Sequence, residues 1–216
     1  MATHEMPPRI GAPAPDFTLP AVDRDGTVSL DDYRGKHPLL LALFRGVYCP
    51  FCRRAIAQFG AARDKLRAAG VEALGVVATT VENARFYFRF RPARVSLAAD
   101  PELATHRAYG VPRPPVTPEL VQELTAVKIN PTGELPAPLP VVEAAGALDR
   151  LEGFQPTATD QADYERHGTQ LCGQFLIDRE GVLRWANIEC GREGLAGLGK
   201  FPSDEELLAV TAALRS

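Results

Sequence analysis

The most constraining feature of the sequence is a pair of cysteines separated by two residues, in the segment Cys49-Pro50-Phe51-Cys52. The apolar run over residues 39–44 predicts a buried strand before the pair. Apolar residues then recur at three- and four-residue steps over 52–66, which predicts a helix that ends near Gly70. The cysteines therefore lie at a strand-to-helix junction, where the helix amides and dipole favour a thiolate on Cys49.

Composition restricts the compartment and the partners. With 216 residues and 45% hydrophobic content, the chain predicts one domain over 1–216 with insertions. The net charge of -3 and the lack of a basic run predict no binding to nucleic acid or to a membrane. No signal-like or membrane-spanning stretch is evident, and four cysteines are too few for a disulfide framework. A cytoplasmic location is expected.

The rest of the chain predicts an α/β fold with a mixed central sheet and helices on both faces. Further strands are expected over 71–78 and 95–98, and hairpins around Asp25-Gly26 and around 178–181. Helical signals occur at five further places: over 80–90, from Asp100, over 117–126, over 141–151, and from the capping box at Ser203 to Leu214. The Pro-rich residues 111–169 are interpreted as an insertion packed over the domain, and residues 1–15 as an irregular arm.

A family resemblance rests on several segments together. Five segments resemble the peroxiredoxin-like proteins of the alkyl hydroperoxide reductase/thiol-specific antioxidant family. They are the cysteine pair with its flanking strand and helix, residues 11–20, Asp25-Gly26, residues 30–35 and residues 175–181. The resemblance covers about 11–110 and 170–215, and leaves the insertion unassigned. It implies a three-layer thioredoxin-like fold, no organic cofactor, a disulfide or hydroperoxide substrate, and an electron donor of the thioredoxin or glutathione type.

The chain departs from the family pattern at the site itself. If Cys52 is placed on the peroxidatic cysteine of Pro-x-x-x-Thr-x-x-Cys, Arg45 replaces the proline and Cys49 replaces the threonine. Where thioredoxins carry a cis-proline beside the active disulfide, this chain has Cys172. By resemblance, Cys172 is expected to approach the pair.

Two assignments of the attacking thiol follow. A thioredoxin-like mechanism makes Cys49 the nucleophile and Cys52 the resolving thiol, whereas a peroxiredoxin-like one makes Cys52 attack and Cys49 or Cys172 resolve. We favour Cys49, because it starts the helix and the peroxiredoxin threonine is missing. Arg45, Arg53 and Arg54 lie close in sequence and favour the thiolate. Arg45 either holds the thiolate or orients an acidic substrate, and the alternative is a solvated loop charge.

Residues around the cysteine pair are predicted to contact partners, and two interpretations are kept for several others. Tyr48, Pro50 and Phe51 are predicted to contact a substrate or partner. Cys172 is either a packed thiol or a third redox sulfur, and Cys190 is interpreted as a bystander. The four histidines are expected at the surface, with His167 near the site. The aromatic residues of 86–90 suit core packing or a homodimer contact.

The sequence is also compatible with two other functions. Cys49, Cys52 and Cys172, with Cys190 or His167, would suit a metal ion or an iron–sulfur cluster. Such a site usually takes two cysteine pairs, and the sequence has one. The other alternative is a binding module that keeps the fold but has unreactive thiols.

Overall fold

The structure is a computed structural model that describes residues 8–212 and residue 214. The strands are β1 (Thr18–Pro20), β2 (Thr27–Ser29), β3 (Leu39–Phe44), β4 (Glu72–Val77), β5 (Ser96–Ala99), β6 (Lys128–Ile129), β7 (Leu139–Pro140), β8 (Gly173–Ile177) and β9 (Leu183–Ile188). The helices are α1 (Pro50–Ala68), α2 (Val81–Phe88), α3 (Ala104–Ala108), α4 (Pro118–Ala126), α5 (Val141–Glu152), α6 (Ala158–His167) and α7 (Asp204–Ala212). Both predicted hairpins and the strand–helix–strand unit are present.

A five-stranded mixed sheet forms the centre, in the order β5-β4-β3-β8-β9. Strands β3, β4 and β5 are parallel, and β8 is antiparallel to both β3 and β9. Strand β3 is buried along its whole length, as expected for the middle of a sheet covered on both faces. Its C-terminal end leads directly to the Cys49/Cys52 segment.

The two faces of the sheet have separate cores because side chains alternate along a strand. Leu40, Ala42 and Phe44 point towards the face covered by α1, α2, α5 and α7. Leu39, Leu41 and Leu43 point to the other face, where the N-terminal hairpin and the residues at the end of α3 pack. The fold is therefore the α/β, thioredoxin-like arrangement that the sequence predicted.

The Pro-rich segment 111–169 contains more structure than its sequence indicated. The predicted helices are present as α4 and α5, whereas α6 and the short β6–β7 pair were not predicted. Helix α6 is polar and lacks a clear apolar stripe, but its start carries a detectable signal. Thr157 and Asp160 form a capping box, in which each side chain accepts the other's backbone N–H.

Buried polar side chains fasten α6 to the end of β4 and to α2. The Thr79 hydroxyl donates to the Asp163 carboxylate at 2.5 Å, and the Asn83 amide donates to Asp160 at 2.8 Å. All four side chains are buried. Because buried polar groups are costly to leave without partners, this network fixes where α6 lies.

Two sequence expectations about local structure are wrong. The helix expected from Asp100 begins at Ala104, because the Asp100 carboxylate accepts the amides of Ala104 and Thr105 at 3.1 and 2.7 Å and caps the helix from outside. Two histidines expected at the surface, His106 and His167, are buried.

The structure describes the N-terminal arm only in part. The irregular arm is seen over residues 8–15, and the rest of that prediction lies outside the described residues. In the described part of the chain, no helix combines the length and apolar character needed to cross a bilayer.

Candidate active site

Cys49 occupies the N-cap position of α1, with Pro50 as the first helical residue. Its backbone is extended, and its sulfur accepts a hydrogen bond from the Cys52 amide at 3.3 Å. Proline is suited to this first position because it has a helical φ and needs no amide partner there. The strand-to-helix junction predicted from the sequence therefore places a sulfur at the helix N-terminus, as expected.

A third thiol lies within contact distance of the pair. Cys172 immediately precedes β8, and the β3–β8 register pairs Gly173 with Leu43. This pairing brings the Cys172 sulfur to 3.6 Å from the Cys52 sulfur. The expectation that Cys172 approaches the pair is confirmed. All three cysteines are free and buried, and Cys52 contacts both Cys49 and Cys172.

The surroundings separate the two thiols of the pair electrostatically. Burial alone would raise the pKa of Cys49, but hydrogen bonds from the side chain and amide of Cys52, together with the charge of Arg45, lower it to about 6. Burial, and then the hydrogen bonds with Cys172 and Cys49, raise the pKa of Cys52. Cys49 is thus the thiolate at neutral pH and Cys52 the thiol.

Arg45 is held by a buried carboxylate that the sequence did not indicate. The Glu189 carboxylate accepts from Arg45 Nη2 at 2.9 Å, from the Cys172 amide at 2.9 Å and from the Gly199 amide at 2.7 Å. Arg45 Nη1 also donates to the Gln170 carbonyl at 3.0 Å. Glu189 therefore connects Arg45 to the backbone of Cys172. Glu189 adjoins Cys190 in the sequence, but no motif links it to Arg45.

Arg53 and Arg54 interact with the insertion. Arg53 donates to Asp149 at 2.5 Å and to Glu152 at 2.9 Å, and its guanidinium lies 3.8 Å from the centre of the Phe154 ring. Arg54 donates to Glu134 at 2.7 Å. Of the three arginines expected to support the thiolate, Arg45 is therefore the one placed to do so.

The three residues predicted to contact a partner are largely covered. The Tyr48 hydroxyl donates to the His167 carbonyl at 2.9 Å, and its ring packs edge-on against Tyr164 with 5.6 Å between centroids. Pro50 and Phe51 are buried. Gly199, at φ +77°, fits closely against Phe51, since an added Cβ would lie 2.8 Å from Cγ of that ring. Helix α6 thus covers Tyr48, and the Gly199 loop covers Phe51.

The remaining candidates lie at the margin of the site. Cys190 is half-buried, and burial, followed by the charge of Glu189, raises its pKa to about 12. His167 Nε2 donates to the Pro101 carbonyl at 2.9 Å, and the His167 carbonyl accepts from the Tyr48 hydroxyl. The position of His167 near the site agrees with expectation, although its burial does not.

The metal alternative has no ligand set in the structure. Within residues 8–212 and 214, no three His, Cys, Asp or Glu side chains are arranged to hold a metal ion. The proposed cluster of Cys49, Cys52 and Cys172 with Cys190 or His167 is therefore not supported by the geometry.

Comparison with solved structures supports the fold. The reduced 2-Cys peroxiredoxin of Plasmodium vivax matches at TM-score 0.61 with 17% identity, over 97% of this chain and 83% of its own. Peroxidoxin BcpB of Mycobacterium tuberculosis matches at TM-score 0.58 with 14% identity, over 98% and 97%. A putative thiol:disulfide interchange protein of Chlorobium tepidum matches at TM-score 0.52 with 21% identity, over 95% and 98%.

Sequence comparison identifies the family. No curated protein sequence matches the chain significantly. The model of the AhpC/TSA family matches residues 10–186, which include Cys49, Cys52, Cys172 and the whole insertion. The chain therefore belongs to the AhpC/TSA family and is a thioredoxin-fold oxidoreductase.

Proposed function

We propose that the protein cycles Cys49 and Cys52 between dithiol and disulfide, with Cys49 as the attacking thiol. The observation that carries this proposal is the position of Cys49 at the N-cap of α1, with its sulfur on the Cys52 amide and Arg45 nearby. The same surroundings keep Cys52 protonated, which disfavours the peroxiredoxin-like assignment in which Cys52 attacks.

The same pair of thiols serves both substrate classes. With a disulfide, the Cys49 thiolate forms a mixed disulfide and releases one substrate thiolate, and Cys52 then displaces the other. With a hydroperoxide, the thiolate attacks the terminal oxygen and releases the alcohol, and Cys52 condenses with the sulfenic acid to release water. Either route ends in a Cys49–Cys52 disulfide, which a thiol donor of the thioredoxin or glutathione type then reduces.

The role proposed for Arg45 is electrostatic. Its guanidinium is buried beside the thiols and stays charged at all relevant pH values. A fixed positive charge stabilises the Cys49 thiolate and the negative charge that develops on the oxygen of a hydroperoxide during attack.

Tyr48, Pro50 and Phe51 are proposed as the surface that meets a large substrate or the electron donor. Tyr48 is half-buried beneath α6, whereas Pro50 and Phe51 are buried. Contact with a protein partner therefore requires α6 or the Gly199 loop to move aside. A hydroperoxide is smaller and needs less movement, which favours it over a protein disulfide as the oxidant.

The domain organisation, a homodimer contact and the location of the protein are proposed as well. We propose that 1–216 acts as one domain, because insertion residues such as Tyr164 and Asp149 contact the segment around the cysteines. A homodimer contact is suggested by Phe86 and Phe90, whose exposed fractions are 60% and 70%. A cytoplasmic location is still expected.

Single serine variants test the catalytic pair. Cys49→Ser is expected to abolish reduction of hydroperoxides and of insulin disulfides, and Cys52→Ser to stall with Cys49 as a mixed disulfide or sulfenic acid. Cys190→Ser is the control and should match the parent. Turnover by Cys49→Ser at the parental rate would refute the assignment.

A further inference from the structure

The short distance between Cys52 and Cys172 extends the thiol chemistry beyond the pair. We propose that Cys172 takes the disulfide over from Cys49, so that the oxidised protein rests with a Cys52–Cys172 disulfide and a free Cys49. This inference rests on the Cys49/Cys52 cycle proposed above. Cys172 is thereby assigned to a defined redox step.

The geometry places Cys52 as the shared sulfur. Cys172 Sγ lies 3.6 Å from Cys52 Sγ, and the amide of Cys52 donates to Cys49 Sγ at 3.3 Å. A disulfide bond is about 2.0 Å long, so the two sulfurs must approach by roughly 1.6 Å. Small χ1 rotations of the two side chains achieve a displacement of that size.

The backbone of Cys172 is held in place for this reaction. The Glu189 carboxylate accepts the Cys172 amide at 2.9 Å, and the Glu189 amide donates to the Cys172 carbonyl at 3.0 Å. The same carboxylate binds Arg45, which is buried beside the thiols. These contacts fix the backbone of Cys172 against the end of β3.

The step is an exchange that needs no added oxidant or reductant. The Cys172 thiol loses its proton to solvent, and its thiolate attacks Cys52 Sγ. The Cys52–Cys49 bond breaks as the Cys52–Cys172 bond forms, and the bonding electron pair leaves on Cys49 as a thiolate. One disulfide replaces another, so the oxidation state of the protein is unchanged.

The acidity of Cys49 favours this direction. The more acidic sulfur is the better leaving group, and ionisation after release stabilises the product state. In the reduced protein, burial opposes ionisation of Cys49, but hydrogen bonds with the side chain and amide of Cys52 and the charge of Arg45 lower its pKa to about 6. The charge of Arg45 and the Cys52 amide remain after the exchange, and both favour release of Cys49 as a thiolate. The hydrogen bond with the Cys52 thiol is the contribution that oxidation of Cys52 removes.

Burial makes internal exchange the route to this disulfide. Cys52 and Cys172 are 2% and 8% exposed, and the cavity between them and Glu189 has a volume of about 10 Å³. That space accommodates about one water molecule and excludes a thiol reductant. Cys49 is itself only 5% exposed, so an external thiol reaches either disulfide only when the covering segments move, whereas the internal exchange needs no such movement.

Disulfide mapping tests the proposal. The reduced protein is oxidised with one equivalent of hydrogen peroxide, quenched in acid, alkylated and mapped by peptide mass spectrometry. We expect mainly Cys52–Cys172 near pH 7, with Cys49 alkylated, and a smaller excess of that disulfide near pH 5. Mainly Cys49–Cys52 or Cys49–Cys172 in the parent protein would overturn the inference. A Cys52–Cys172 disulfide formed in Cys49→Ser as readily as in the parent would also overturn it, because Cys52 would then be the attacking thiol.

Variants separate failure of the exchange from failure of the cycle. Cys172→Ser and, as a second variant, Cys172→Ala should trap Cys49–Cys52, while Cys190→Ser should map like the parent. If the parent turns over peroxide and its mapped disulfide is Cys49–Cys52, the exchange is refuted and the Cys49/Cys52 cycle is not. A parent protein that forms neither disulfide would refute both.

Discussion

At the scale of single residues, the site depends on how unequal its thiols are. Cys49 and Cys52 have the same chemistry and lie one helical turn apart. One has its sulfur at the helix N-terminus and near Arg45, and the other is enclosed between two sulfurs. Their roles follow from these surroundings, because the nucleophile in thiol chemistry is the thiolate.

Replacing Arg45 is expected to weaken the nucleophile. In Arg45→Met, the pKa of Cys49 should rise from about 6 towards the ordinary value of about 8.5, because a nearby positive charge is removed. The rate of iodoacetamide alkylation, measured at several pH values around 7, gives the pKa of Cys49 in each protein.

Two variants control for disruption of the buried ion pair. Arg45→Lys keeps the charge and should leave the pKa closer to the parental value. Glu189→Gln removes a negative charge that raises the pKa of Cys49, so it should shift the titration in the opposite direction from Arg45→Met. Equal titration curves in Arg45→Met and the parent would show that Arg45 does not stabilise the thiolate.

At the scale of elements, α1 must lie close to the chain between α2 and β5. Gly60 lies in the middle of α1, and an added Cβ would stand 1.9 Å from the Ala93 carbonyl oxygen. Alanine is normally the better helix former, but here the backbone of a neighbouring segment occupies the space. The close approach, more than helix propensity, explains why glycine is needed.

Gly60→Ala is therefore expected to destabilise the protein by about 1–3 kcal/mol, the usual range for overpacking. Gly146→Ala in α5 is the matched control, since its Cβ would meet only a flexible Arg150 side chain at 3.4 Å. That variant should gain up to about 1 kcal/mol from helix propensity. Urea unfolding of both variants measures the difference, and equal effects would contradict the steric account.

Helix α6 acts at the same scale as a cover over the segment before Cys49. Tyr164→Ala removes the ring that packs on Tyr48, so reaction of the reduced protein with a bulky aromatic disulfide should become several-fold faster. Reaction with hydrogen peroxide should change less, because a small oxidant needs less space. Tyr164→Phe keeps the ring and should behave like the parent. An unchanged rate in Tyr164→Ala would show that α6 does not limit access.

At the scale of the whole molecule, a buried histidine links stability to pH. His106 is fully buried, its ring nitrogens have no hydrogen-bond partner among the residues that the structure describes, and burial lowers its pKa to about 4. The unfolded chain binds a proton at this histidine below about pH 6.5, whereas the folded protein does not. Stability is therefore fully present above about pH 6.5 and is lost as pH falls towards 4.

The free energy of unfolding is expected to fall by about 2 kcal/mol between about pH 6.5 and pH 5 through His106 alone. His106→Gln should flatten this part of the stability curve, although it also alters the core. His37→Gln, at an exposed position, should leave the slope unchanged. Urea unfolding at several pH values provides the measurement, and a parental slope in His106→Gln would contradict the assignment.

The sequence by itself determined the features that depend on neighbouring residues. The apolar run of β3, the helical stripe of α1 and the cysteine pair between them are local signals, so the strand-to-helix junction was predictable. The strands of the central sheet, the N-terminal hairpin and the capping box of α7 followed for the same reason, as did α4 and α5, whereas the short β6–β7 pair did not. Helix α6 was missed because it is polar, and its contacts are made by side chains that carry no periodic pattern.

Only the tertiary structure decided which distant residues meet the pair. Pairing of β8 with β3 brings Cys172 to Cys52 across 120 positions of sequence, a contact that resemblance suggested and spacing did not. Glu189 joins Arg45 across 144 positions, and nothing local marks either residue as the partner of the other. Burial of both charges is acceptable only because they are paired, and such pairing depends on the assembled sheet.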